Sequence, residues 1–250
     1  MASGSSGNSA FIATGRTRVL IDAGLSLREL TRRLSLIGEH PSQLTAVVVT
    51  HEHSDHISGL AALVHKHAVP VYVSRLTATQ IDWGESPPVI ERFQAGARLS
   101  IGEMEIDSFT IPHDAVDPVG LCLRAQGVKI GLVTDLGYIP ASIHFHVDGA
   151  QLLLLESNHD LEMLRVGPYP WSVKQRVMSR MGHLSNLSTS DFLRDSFDGG
   201  TTHLLLGHLS EHNNHPEIVR STAAAVLEER GLATTLEIAS QYKPSTVFQF

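Results

Sequence analysis

His51-Glu52-His53-Ser54-Asp55-His56 stands between the run Ala46-Val47-Val48-Val49-Thr50 and a helical pattern from about Ile57 to Ala68. The run is continuous, apolar and β-branched, as strands buried on both faces are. Three imidazoles and a carboxylate therefore fall in six residues where a buried strand gives way to a helix. Neutral imidazole and ionised carboxylate are the donors that a borderline divalent cation such as Zn²⁺ takes. Residues i and i+2 at a strand end point to one side, so His51 and His53 can share one ion. Asp55 and His56, one step further into the turn, can then reach a second. The other reading of the segment is a polar surface loop rich in histidine.

The rest of the chain frames that segment. It has 250 residues, 42% hydrophobic and 18% charged, with mean hydropathy +0.02, enough to bury a sizeable core as one domain over residues 1–250. The start, Met1-Ala2-Ser3-Gly4-Ser5-Ser6-Gly7, has neither a basic nor an apolar stretch, and no window reaches the ~18 apolar residues of a membrane helix. The expectation is a cytoplasmic protein that makes no membrane contact. A single cysteine, Cys122, excludes an internal disulfide framework and reads as core. Net charge −7 and pI about 6.1 argue against a basic, nucleic-acid-coating surface. The 15 histidines outnumber Phe (8), Tyr (4) and Trp (2) combined, which makes histidine the residue to follow.

Strand and helix patterns alternate along the chain. Strands are expected at 10–14, 18–22, 46–50, 69–73, 104–111, 121–125, 128–134, 150–156, 202–206, 234–238 and 246–250. Helices are expected at 26–37, 57–68, 171–181, 189–197 and 216–230. Ser26 and Glu29 read as a capping box for the first helix. Such an order suggests two sheets between helix layers. A faint repeat links Val19–Gly24 to Gly131–Gly137 and Ala46–His51 to Leu204–His208, so that each half delivers an Asp and a His at strand ends.

His-x-His-x-Asp-His after an apolar strand, with an earlier strand ending in Asp22, resembles the metallo-β-lactamase superfamily. The resemblance covers nearly the whole chain, because His113 (after Ile111-Pro112), Asp135 and His208 match its later motifs in order. It implies an α/β fold, a four-layer αββα sandwich of two mixed sheets flanked by helices. It also implies that His51, His53 and His113 hold one metal, that Asp55, His56 and His208 hold a second, and that Asp135 bridges them. Asp22 would orient a ligand histidine from behind. Read alone, His113 would be a hydrogen-bonded loop histidine and Asp22 or Asp135 a turn residue. His212 and His215 compete with His208.

More narrowly, Gly4-Ser5-Ser6-Gly7-Asn8-Ser9, Pro112-His113-Asp114-Ala115, Gly182-His183-Leu184-Ser185-Asn186 and Gly207-His208-Leu209-Ser210 resemble the YycJ/WalJ-type, exonuclease-like branch. That resemblance implies catalytic roles at the phosphate for Glu156 and His183, besides Asp55; read alone, Glu156 would be a satisfied charged strand end and His183 a helix-terminal loop histidine beside Gly182. The expected cofactors are two divalent ions, Zn²⁺ or Mn²⁺, ~3.5–4 Å apart, with a metal-bridging hydroxide as nucleophile. The expected substrate is a small phosphodiester or nucleic acid, DNA or RNA. Lys174 and Arg176, in a basic stretch before His183, and Ser6 and Asn8, in the Gly-rich start, are expected phosphate contacts. Their bland readings are a solvated helix face and a flexible terminus. The rival function is hydrolysis of a lactone, thioester or β-lactam on the same dimetal site. A redox member of the superfamily would carry Glu where His53 stands. Oligomeric state is left open.

Overall fold

In the computed structural model, which describes residues 1–250, the β-branched and apolar runs become the inner strands of two sheets. The first sheet takes β1 (Ala10–Ala13), β2 (Arg18–Ile21), β3 (Ala46–Val49), β4 (Val71–Ser74) and β5 (Ile90–Phe93) in that order. Only the β1–β2 pair is antiparallel. The second sheet runs from β6 (Arg98–Ile101) through β7 (Met104–Thr110), β8 (Val119–Ala125), β9 (Val128–Val133), β10 (Leu152–Glu156) and β11 (His203–Gly207) to β12 (Thr235–Ile238). Its first four strands form an antiparallel meander, and β9 to β12 pair in parallel.

The two-residue period of a strand sorts side chains into layers. Val19, Ile21, Ala46 and Val48 meet Ile106, Leu121 and Leu123 between the sheets. The alternate residues Leu20, Val47 and Val49 face Leu30 of α1 (Leu27–Ser35) and Leu63 of α3 (Leu60–His67), which follows the single turn α2 (Ser54–Ile57). On the far side Val133, Leu153, Leu155 and Leu206 pack on α4 (Ala141–Val147), α7 (Asn186–Asp195) and α8 (Pro216–Glu229). Between β10 and α7 lie the short α5 (Leu161–Val166) and α6 (Trp171–Val177). The result is the expected helix–sheet–sheet–helix order, with Cys122 buried in the outer core layer. No helix is long and apolar enough to cross a membrane.

Some expected elements differ. The helix expected at 57–68 begins earlier, at Ser54, and is broken at Ser58-Gly59. Gly59 N donates to Ala23 O (2.8 Å), and a Cβ there would lie 1.8 Å from Leu25 O, so the chain must bend around the end of β2. The capping box is half formed: Ser26 accepts from Glu29 N, but the Glu29 carboxylate turns to Arg32 and Arg33. The strand expected at 246–250 does not form. Thr246 N bonds the Glu237 side chain instead, and Phe248 and Phe250 pack on the His203 ring. The helix expected at 171–181 stops at Val177, and that expected at 189–197 starts at Asn186 behind the cap Ser185. Strands β5 and β6 and helices α4 and α5 were not expected.

Candidate metal centre

The parallel strands of both sheets end at one cleft, and the residues just beyond them carry its chemistry. Asp22 follows β2, Asp135 lies two residues past β9, and His208 follows β11. All three have positive φ (58°, 63° and 56°). A non-glycine residue rarely holds that conformation, which costs about 1–3 kcal/mol unless its surroundings enforce it. Here they do: Asp22 N donates to Val48 O, and His208 N donates to Ser3 Oγ while its carbonyl accepts from Asn158 Nδ2. A Cβ on Gly24 would lie 1.7 Å from Asp55 O, so only glycine lets the turn α2 close over the end of β2.

Two donor groups face one another across Asp135. In the first, His51, His53 and His113 converge, with His113 Nε2 3.2 Å from His53 Nδ1. In the second, Asp55 Oδ2 is 3.5 Å from His56 Nε2 and 3.4 Å from His208 Nε2. Asp135 Oδ2 lies 3.4 Å from His56 Nε2, and its Oδ1 lies 4.0 Å from His113 Nε2. The other nitrogen of each buried ring is committed elsewhere. His56 Nδ1 donates to Asp22 Oδ2 (2.7 Å), His113 Nδ1 to Gly182 O (3.2 Å) and His208 Nδ1 to Glu156 Oε1 (2.6 Å). His51 Nδ1 meets Thr50 Oγ1 (3.1 Å), whose hydroxyl donates to Asp22 Oδ2. Such partners fix the tautomer that leaves a lone pair on the facing nitrogen. Two of the facing atoms, His51 Nε2 and Asp135 Oδ2, are buried with no hydrogen-bond partner. Burying a polar atom unpaired is costly, and a divalent cation would supply the missing partner for both. The donor set fits the metal.

The electrostatics follow from that crowding. Burial works against a charged His56 ring, yet Asp135 and Asp22 outweigh it and hold the ring well above its ordinary range. For His208, too, burial opposes charge, and Asp135, Asp55 and Glu156 prevail, to about 10. His51, buried and beside His56, is pushed well below its ordinary value. Burial would raise Glu156, but His183 and His208 bring it down to about 2. Against its own burial, His183 is raised by Glu156.

Two sequence expectations need correction. Glu156 was expected to assist at the phosphate, yet it is fully buried and both its oxygens are taken. Oε1 accepts from His183 Nδ1 (2.9 Å) and His208 Nδ1; Oε2 accepts from Leu136 N and Leu184 N (3.0 Å each). It positions two histidines and has no lone pair left for substrate. Lys174 was expected to contact phosphate, but its buried ammonium caps Arg165 O and Gly167 O (2.8 Å each) and is not brought to the cleft. Arg176 does reach the rim, where it pairs with Asp114, whose other oxygen is 3.5 Å from His113 Nε2. Asn8 is buried, and its Nδ2 lies 2.9 Å from Asp55 Oδ2 and 3.0 Å from His56 Nε2. Ser6 is exposed, with its N–H donated to Gln241 Oε1. Sequence reasoning missed Thr50, Ser3, Asp114 and Gln241. Of these, only Thr50 and Asp114 stand beside a motif histidine, the one signal that could have found them.

The family described as "Beta-lactamase superfamily domain" matches residues 17–208. "Exodeoxyribonuclease YycJ" of Bacillus anthracis is 37% identical over 234 residues, 92% of this chain and 89% of that protein. "Exodeoxyribonuclease WalJ" of Streptococcus pneumoniae is 35% identical over 242 residues, 95% of this chain and 90% of that one. Among solved structures, the metallo-β-lactamase fold protein YhfI from Bacillus subtilis superposes with TM-score 0.75 at 20% identity, covering 96% of this chain and 94% of that one. At that identity the likeness speaks for the fold alone.

Proposed function

Since the chain belongs to the metallo-β-lactamase superfamily, in its YycJ/WalJ-type branch, and is a nuclease-like hydrolase, we propose that it is an exonuclease cutting DNA phosphodiesters over two divalent cations, Zn²⁺ or Mn²⁺. The observation that carries this reading is the pair of buried, unpartnered atoms, His51 Nε2 and Asp135 Oδ2, set among oriented imidazoles. His51, His53 and His113 would hold one cation, Asp55, His56 and His208 the other, and Asp135 both. Such a pair supplies water activation at neutral pH and charge neutralisation at a phosphoryl oxygen. Five imidazoles and two carboxylates suit either metal. Acting on DNA, the enzyme belongs in the cytoplasm, the whole chain working as one catalytic unit.

The chain's own groups do the rest. Glu156 holds His183 by Nδ1, which leaves Nε2 as the atom that gives or takes a proton. The raised affinity of that ring for a proton suits it to protonate the leaving oxygen. Asp22, through His56 and Thr50, keeps the ligand rings from turning. Asn8 fixes the orientation of Asp55 from the N-terminal side, and Arg176 offers the rim a guanidinium for the phosphate. Ser6 contributes at the outer edge of that loop. The test joins elemental analysis to a substrate panel of bis-aryl phosphodiester, end-labelled DNA and RNA, lactone, thioester and β-lactam. About two metals per chain and turnover of DNA are expected. Turnover of lactone or thioester with none on any phosphodiester would overturn the reading.

A further inference from the structure

Three loops form one side of the cleft mouth. The loop after β9 carries Asp135 and then Tyr138, the turn after α6 carries Arg180 and Met181 just before His183, and the loop after β7 carries His113 and Val116. They are locked together. Gly137 N donates to Pro112 O (2.9 Å), His113 Nδ1 donates to Gly182 O, and a Cβ on Gly137 would lie 2.3 Å from the Arg180 carbonyl carbon. On that rigid rim the Arg180 guanidinium lies over the Tyr138 ring, 3.9 Å from its centroid. Arg176 is paired with Asp114, but Arg180 has only the ring.

Apolar side chains stand exposed next to this stack in the chain: Met178 (43% exposed) and Met181 (48%) flank Arg180, and Val116 (48%) follows His113 by three residues. Six of the fifteen large apolar side chains that the fold leaves exposed lie between residues 161 and 187, so the exposure is concentrated rather than scattered. Of the cations in that segment, Arg165 pairs with Glu162, Lys174 is buried on backbone carbonyls and Arg176 pairs with Asp114, which leaves Arg180 as the guanidinium with no carboxylate partner. Exposed apolar and guanidinium surface near a phosphate-cutting site is what an unpaired base and its phosphate require. A paired duplex keeps its base faces stacked inside, apart from the outer face of its terminal pair, and offers the platform less base surface than an unpaired strand does.

Resting on the nuclease reading, we propose that Tyr138, Arg180, Met178 and Met181 form a stacking platform for the last unpaired bases of the DNA strand being digested, so that a duplex end must fray before it is cut. Each stacked base is worth about tenfold to a hundredfold in affinity. The experiment uses the full metal-loaded chain on four substrates: a fully paired duplex, the same duplex with two mismatched terminal pairs, the single strand, and a bis-aryl phosphodiester. The mismatched end should be cut faster than the paired one. Arg180→Ala and Tyr138→Leu should erase that advantage, and should lower kcat/KM at least about tenfold more on DNA than on the bis-aryl diester. With terminal 2-aminopurine as probe and His183→Ala as the non-turning enzyme, binding should quench the fluorescence, and adding Tyr138→Leu should abolish the quench. Metal content and the thermal midpoint identify a misfolded variant, for which the exposed Met181→Ser serves instead. Equal cutting of paired and mismatched ends, equal loss on DNA and bis-aryl diester, or quenching that survives the variants would overturn the proposal. So would a dimer, seen by sedimentation, whose dissociation is the variants' only effect. Failure of every phosphodiester, the bis-aryl compound included, would instead sink the nuclease reading, since the quench does not need turnover.

Discussion

Replacing Glu156 by glutamine separates a residue that touches substrate from one that holds the machinery. Each carboxylate oxygen accepts two N–H groups, His183 Nδ1 and His208 Nδ1 on one side, Leu136 N and Leu184 N on the other. An amide has one oxygen and one NH₂, so in either orientation a donor faces two donors. If the NH₂ faces the backbone, two buried N–H groups lose their acceptor, at about 1–3 kcal/mol each, or about 2–6 kcal/mol in all. If it faces the rings, His208 is driven to the tautomer that places a hydrogen on Nε2, the atom facing Asp55. The lone pair for the metal is then gone, and loss of such an orienting partner typically weakens metal binding about 10–100-fold. Urea unfolding of the metal-free chain and chelator competition on the loaded chain read the two branches. Glu156→Gln should fail at least one of them by those amounts. Wild-type stability and wild-type metal affinity together with lost turnover would refute the argument and return Glu156 to a direct role at the phosphate.

His183→Ala should keep its metal, by elemental analysis, yet lose about 10²–10⁴ in kcat, as removal of a general acid does; lost metal would assign the ring to the ligands instead. Gly24→Ala and Gly59→Ala would push a methyl group against Asp55 O and Leu25 O, so each should destabilise by about 1–3 kcal/mol in urea and loosen the ion held by Asp55 and His56; wild-type metal affinity in both would count against the close approach. In the metal-free chain His208 binds its proton up to about 10, above its ordinary 6.5. Its contribution to stability is therefore complete below about 6.5 and lost as pH rises toward 10, so unfolding of the metal-free chain should become easier between pH ~7 and ~10. A flat profile there would contradict the assignment. Metal loading at neutral pH should release protons, measured by calorimetry in two buffers of different ionisation enthalpy, and none released would show the rings already neutral.

The side chains that converge at the cleft could be read from sequence because their arrangement is local. His51 to His56 span one strand end and one turn, and His113, Asp135 and His208 each stand just beyond an apolar run. The roles of Glu156 and Lys174 were misread for the opposite reason. An apolar strand ending in Glu suggests a buried carboxylate, but not that Leu136, the pair His183-Leu184 and His208 arrive from three places in the chain to saturate it. Lys174 stands two residues from Arg176 on a basic stretch, and nothing in that spacing shows that its ammonium turns back onto the carbonyls of Arg165 and Gly167. Strand β5 was hidden because Glu91 and Arg92 interrupt Ile90-Glu91-Arg92-Phe93, as suits a sheet edge. The reverse error, at 246–250, came from an alternating apolar pattern that finds aromatic packing but no strand partner.

Net charge takes on a different meaning once the cluster is seen. A value of −7 argues against a basic coat, but four of the negative groups, Asp22, Asp55, Asp135 and Glu156, gather within the cleft and its supports. In the metal-free chain the raised affinities of His56, His183 and His208 for protons offset much of that charge. Two divalent cations, as proposed, would offset it fully while displacing those protons from the ligand rings. Proton and cation would thus compete for one balance of charge. With the cleft neutralised from within, Arg180, and Arg176 once released from Asp114, would provide the positive charge for an incoming phosphate.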